Sequence, residues 1–253
     1  MDDFRFLGKE LSAFNATAAF GNSMRVGARV SRSEYAMPGG GSVIIGEAEY
    51  QTTQRQVTII PRDGTEPTPR WRREILSWLQ SGRGELIVHN DPDVMRIAQF
   101  DQDGAWGTVM WPDGAIQMTM TLQPLCYAAR EYVVSGVTAS GELDIVMRMP
   151  TALETPLAVR CEVLSGMLTA LTLKSGGSTL ALTGMNLTTG QAVEYDAGSL
   201  VGDVMTLRAA GAAGFGYVKQ WAKLTGLPGR TLHVMAEGAE VRVVLRARGR
   251  WAA

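Results

Sequence analysis

Strict two-residue alternation constrains this chain more than any other feature. Leu157, Val159, Cys161 and Val163 alternate with Arg160 and Glu162, and Val241, Val243, Leu245 and Ala247 alternate with Arg242 and Arg246. Leu143, Ile145, Met147 and Met149 share one parity, opposite Asp144 and Arg148. Successive strand side chains point to opposite faces, so each segment has one apolar and one wet face. That is the pattern of antiparallel sheets packed on one side. Met118, Met120 and Leu122 repeat it against Thr119 and Thr121, and shorter runs at Val57–Ile60 and Leu86–Val88 add strands. Together with 29 glycines punctuating 253 residues, these runs predict a mainly β protein with one helix.

The helix is marked at its start. Thr68 is a side-chain cap and Pro69 suits the first position, where no amide partner exists. Trp71, Ile75, Trp78 and Leu79 then form one apolar stripe, and Gly82 is placed to end the helix in a left-handed conformation. Arg70, Arg72 and Arg73 stand in the first turns, where the helix dipole disfavours cations. His89–Asp93 reads as a turn with side-chain acceptors, and Asp101–Gly104 and Trp111–Gly114 as hairpin connections. A small, polar stretch from Ser135 to Gly141 is the expected junction, giving domains 1–134 and 135–253. In the second domain, Ala209–Gly216 is a Gly/Ala loop, followed by a weak helix candidate over Tyr217–Leu224.

The composition argues against several function classes. Formal net charge is −1, without the basic excess of a nucleic-acid binder or a polybasic membrane-surface protein. No apolar run reaches the roughly 20 residues of a membrane span, and the start Met1-Asp2-Asp3-Phe4 lacks a secretory core. Cys126 and Cys161 have no metal-like spacing, lie in apolar stretches and are expected as buried free thiols from a reducing cytoplasm. His89 and His233 are the only histidines, and neither stands in a nucleophile context. Asp91 and Asp93 beside His89 form the best acidic cluster, read as a turn rather than a metal site. The glycine-rich 211–216 segment lacks the lysine of a phosphate loop. No catalytic, cofactor-binding or metal residue is assigned, no cofactor is expected, and the chain is read as a non-enzyme.

The order of features in the first half is specific. Phe4–Lys9 opens a strand, and Pro38-Gly39-Gly40-Gly41-Ser42 leads into Val43–Gly46. The capped helix ends Trp78-Leu79, Gly84–Val88 runs into Asp91-Pro92, and a last strand closes Pro124-Leu125-Cys126-Tyr127. Over residues 1–132 this order resembles the N-terminal domain of siphophage distal tail proteins. The second half is similar, less specifically, to that family's galectin-like β-sandwich, through strand spacing and the ending Arg248-Gly249-Arg250-Trp251. The triple-glycine turn lacks the charged residue many members carry.

The resemblance implies a tail-tube-like β-sandwich or barrel domain followed by a galectin-like β-sandwich. It implies a virion protein at the distal tail tip, made in the host cytoplasm, that forms a homohexameric ring and lets DNA pass in transit. Partners would be the tail tube protein, a tip or hub protein, and receptor-binding or adhesin proteins. Met37, Val43, Ile45 and Tyr50 are the candidate ring interface, with an ordinary core strand as the competing reading. The second domain would face outward. Tyr195, Tyr217 and Trp221 are its candidate outward contacts or sugar-stacking rings, with packing or tail-protein contact as the competing reading. A carbohydrate- or receptor-binding module acting through this domain is the alternative function.

Overall fold

The computed structural model describes residues 2–21, 29–36, 42–101, 114–198 and 204–252, with the backbone alone at 29–30, 32–36 and 42–49. The chain divides into two compact units, Met1–Ala129 with Trp251–Ala253, and Arg130–Arg250.

The first unit contains β1 (Phe4–Phe6), β2 (Lys9–Glu10), β3 (Ala16–Phe20), β4 (Arg29–Ala36), β5 (Ser42–Gln51), β6 (Thr53–Pro61), α1 (Pro69–Leu79), β7 (Gly84–Val88), β8 (Val94–Asp101) and β9 (Ile116–Ala128). Its main sheet runs β2-β1-β7-β8-β9-β6-β3. The sheet curls until its far strand meets its start. Asp2, just before β1, exchanges two backbone hydrogen bonds with Ala18 of β3, at 2.9 and 2.8 Å. Closure of this kind satisfies edge groups that an open sheet would leave unpaired. β4 and β5 form a separate two-stranded sheet.

Helix α1 begins as its sequence requires. Thr68 Oγ1 accepts from the Trp71 amide at 3.2 Å, with Pro69 at the first position. Ile75 and Leu79 are fully buried in the core, and Trp71 and Trp78 pack at its margin. The helix stops earlier than expected. Gln80 caps it at φ −88°, and Gly82, at φ +136°, lies in the following turn. Pro124 sits inside β9, where Arg96 faces Cys126 but Ala98 faces Leu122, so residues 123–125 leave the β8 register. A proline has no amide to give a ladder, and a bulge is where a strand tolerates one.

The second unit contains β10 (Tyr132–Val137), β11 (Glu142–Val146), β12 (Thr155–Ser175), β13 (Ser178–Thr188), β14 (Ala192–Asp196), β15 (Thr206–Ala209), β16 (Ala212–Ala213), β17 (Val218–Gln220), β18 (Thr225–Gly226) and β19 (Thr231–Ala247). A final strand, β20 (Arg250–Ala252), pairs with β9 of the first unit's sheet. β12 and β19 pair along nearly their whole length and bend together. Before the bend β12 pairs with β14 and after it with β13, so one curled sheet supplies both layers of a sandwich. Both layers feed a single core that includes Val159, Cys161, Leu171, Leu173, Val243 and Val234.

Three sequence expectations need correction. The 134/135 boundary falls inside β10, which pairs with β19; the units part at Ala129, and the small residues of Ser135–Gly141 serve a strand end and a turn at Ser140 and Gly141. The second domain does not run to the C-terminus, because Trp251 returns to the first unit. The helix expected over Tyr217–Leu224 is instead a 3₁₀ turn at Phe215–Tyr217 followed by β17, whose pairing with β13 overrides local propensity. The hairpin turn at 101–104, apart from Asp101, the turn at 111–114, apart from Gly114, and the triple-glycine turn lie outside the described residues.

The bend rests on two glycines. Gly166 has φ +81°, and a Cβ there would lie 2.4 Å from the carbonyl oxygen of Gly238. Gly238, also at φ +81°, would place a Cβ 2.5 Å from the carbonyl oxygen of Met167. Gly166→Ala or Gly238→Ala is therefore expected to destabilise the chain by about 2 kcal/mol or more, combining left-handed strain with a backbone clash. Urea unfolding checks this, with Gly190→Ala as the control for strain alone, since nothing lies within 4 Å of its Cβ position.

Candidate contact surfaces

Of the four candidate ring-interface residues, Met37 lies outside the described residues. Val43 and Ile45 stand in β5, in register with Tyr35 and Ser33 of β4. Tyr50 pairs across from Val30, and its side chain is 39% exposed.

The acidic turn after β7 does not converge. His89 Nε2 lies 3.0 Å from Glu10 Oε2, whereas Asp91 takes a hydrogen bond from Arg96 Nη2 at 3.1 Å. Arg96 is buried, and its Nη1 has no hydrogen-bond partner among the described residues. The expected acceptor role of Asp91 thus goes to a buried guanidinium rather than to backbone amides. Among the described residues no three His, Cys, Asp or Glu side chains gather to hold a metal, and no helix is long and apolar enough to cross a membrane.

The three outward candidates separate by depth. Tyr195 is only 2% exposed. It shares the parity of Val193 in β14, so the strand points it into the core. Its hydroxyl donates to the Ala222 carbonyl at 2.9 Å and accepts from the Leu224 amide at 2.9 Å. Burial pushes its pKa up. Tyr195 therefore cannot offer a ring face to a ligand, which corrects its assignment as an outward contact. Trp221 packs edge-on against it, with centroids 5.9 Å apart, and Phe215 leans on Trp221 at 5.4 Å. Phe215 is 54% exposed, and Tyr217 lies on the surface two residues on. Phase alone would not have found Phe215; its signal is an aromatic isolated between Gly214 and Gly216.

A second aromatic surface lies on the first unit. Phe14 stacks on Trp78 at 5.0 Å and 25°, and the ammonium of Lys9 sits 3.7 Å above the Phe14 ring. Trp78 Nε1 donates to the Phe6 carbonyl at 3.1 Å, and Trp71 Nε1 to that of Phe14 at 2.7 Å. These bonds fix the rings while leaving part of each at the surface. A shallow depression runs over them, walled by Arg70, Arg73, Glu74 and Ser77 of α1.

Both cysteines are free and buried. Burial pushes the Cys161 thiol up to about 12. Cys126 is also raised by burial, against the lowering effect of nearby Arg96.

No family model matches the sequence, and no curated protein matches it. Solved structures do. The crystal structure of the phage SPP1 Dit protein, a hub of the adsorption apparatus in phages infecting Gram-positive bacteria, superposes with a TM-score of 0.66 at 14% identity, covering 99% of each chain. A chain of the phage P2 baseplate in its activated, calcium-containing conformation matches with a TM-score of 0.52 at 8% identity, covering 98% of each chain. The strontium form of that baseplate gives 0.52 at 9% identity, over 96% of this chain and 98% of the other.

Tyr195→Phe should cost about 1–3 kcal/mol, because it strands the buried Leu224 amide. Phe215→Ala should cost less than about 1 kcal/mol, because half the ring is already in water. Chemical denaturation of the two variants distinguishes a core tyrosine from a surface phenylalanine. Neither thiol should react with a disulfide reagent at pH 8 in the native chain, and both should react in denaturant. Because Cys161 is raised when folded, its contribution to stability is present below pH 9 and lost as pH climbs toward about 12.

Over 99% of its length the chain has the fold of the phage SPP1 Dit protein.

Proposed function

We propose that the chain is a structural protein of a long, non-contractile phage tail, acting at the distal tip. In this reading six copies form a ring that joins the tail tube to the tip and adhesion apparatus, and DNA passes through the lumen. The single observation that carries it is the full-length fold match to a phage adsorption hub, with baseplate chains alongside. It needs no catalytic site, and its partners are the tail tube protein, the tip or hub protein and adhesin or receptor-binding proteins.

A ring requires head-to-tail contact between two different surfaces of one subunit. The β4–β5 sheet, with Val43, Ile45 and the exposed Tyr50, is the surface proposed for one side, and Met37 belongs to the same candidate set. Transit of DNA favours a neutral or acidic lumen, since a basic one would hold phosphates.

A second reading has one observation behind it. The exposed Phe215, leaning on Trp221 near Tyr217, is an aromatic face of the kind that stacks on a sugar ring or a partner side chain. It assigns the second unit to receptor or carbohydrate contact within the same tail-tip role.

Native mass spectrometry and negative-stain imaging of the purified chain test the ring. The expected particle is six times the 27.3 kDa chain, with sixfold symmetry and a central hole. Tyr50→Glu should shift it toward monomer without lowering its melting temperature. A chain that stays monomeric at high concentration, alone and with a tail tube protein, would sink the reading, and a continuous basic lumen would sink the transit argument.

A further inference from the structure

The first turns of α1 break an electrostatic rule that, among the described residues, only one carboxylate offsets. Arg70, Arg72 and Arg73 follow the cap directly, and the first turn holds no acidic residue. Cations at this end oppose the helix dipole. Arg70 finds one carboxylate, Glu74, at 2.9 Å on the same helix. Among the described residues, Arg73 and Lys9 have no carboxylate partner and the buried Arg72 Nε has no acceptor. The composition does not force this, since the whole chain carries a net charge of −1. The accumulation is local, and it surrounds a depression.

The shape of that depression adds a second requirement. Its floor is the stacked Phe14–Trp78 pair, and its walls carry Lys9, Arg70 and Arg73 against the single carboxylate of Glu74. The exposed Lys9 holds its ammonium over the Phe14 ring. Three cations against one carboxylate, around an aromatic floor, complement a ligand with several carboxylates and one flat or apolar side chain.

We propose that this flank of α1 is a docking surface for an acidic peptide segment of a protein partner, with Lys9 and Arg73 receiving its carboxylates and Phe14 and Trp78 its apolar side chain. Complementary charge would steer encounter, and the aromatic floor would set residence. The residues that line this surface include none of β4 or β5, and the proposal does not depend on ring formation. A nucleic acid also carries anions and flat rings, but the shallow depression offers three cations rather than a long basic track.

The test uses the full chain and a synthetic probe, acetyl-Glu-Glu-Phe-Glu-Glu-amide, titrated by calorimetry at low salt. Its all-glutamine counterpart and a ten-nucleotide single-stranded DNA serve as comparisons. The acidic peptide is expected to bind about tenfold more tightly than the glutamine peptide, to lose about tenfold in Lys9→Glu/Arg73→Glu, and to weaken as salt rises. Lys9→Gln/Arg73→Gln should fall between, and all these side chains are exposed, so circular dichroism melting should be unchanged. Equal binding of the two peptides, no binding of either, or indifference to charge reversal would each overturn the proposal. Tighter binding of the DNA than of the acidic peptide would replace it with a nucleic-acid surface.

Discussion

The second unit depends on two strands turning a corner at one place without losing each other. β12 has 21 residues, and drawn straight at roughly 3.3 Å per residue it would outrun any single-layer core. It bends instead, with register irregularities at Val163/Ser165 and Gly166/Ala170, and β19 bends beside it. A side chain on Gly166 would run into the Gly238 carbonyl and one on Gly238 into the Met167 carbonyl, so neither position has room for one. The corner is therefore a property of the pair. It lets the same two strands serve both layers, so the core between them is bounded by continuous backbone.

The first unit meets the same edge problem by closure. Once Asp2 and Ala18 join the ends of the sheet, the interior must be filled, and aromatic rings fill it. Phe4 and Phe100 stack at 5.8 Å deep in the core, and Trp78 continues from Phe4 at 5.9 Å toward the surface. Phe14 then extends the series to Lys9. Interior packing and surface character are thus one run of rings, with the indole N–H groups bonded to backbone carbonyls along the way. The aromatic floor beside α1 is the outer end of the core.

Much of this was legible because its causes are local. Parity wrote the strands, and a threonine cap with a proline wrote the start of α1. Parity also held the answer for Tyr195: it alternates with Glu194 and Asp196, and that pattern places it inside. Features set by distant pairing were not legible. Nothing local announces that Arg250–Ala252 returns to β9, or that Val218–Gln220 pairs with β13 rather than coiling. Charge compensation is similarly non-local. The three arginines of α1 are visible in sequence, but whether a carboxylate reaches them depends on the fold.

Among the described residues, the titratable groups are spent largely on local pairing and burial. Here His89 is paired with Glu10, His233 lies 2.6 Å from Asp144, and Asp91 is committed to Arg96. The two thiols are buried and held protonated by that burial. These polar groups join neighbouring segments to one another. Other surface groups are of another kind: Phe215 half in water, and Lys9 and Arg73, which have no carboxylate partner among the described residues. Such groups gain free energy by meeting another macromolecule, because burial of the ring and pairing of the charge both await a partner.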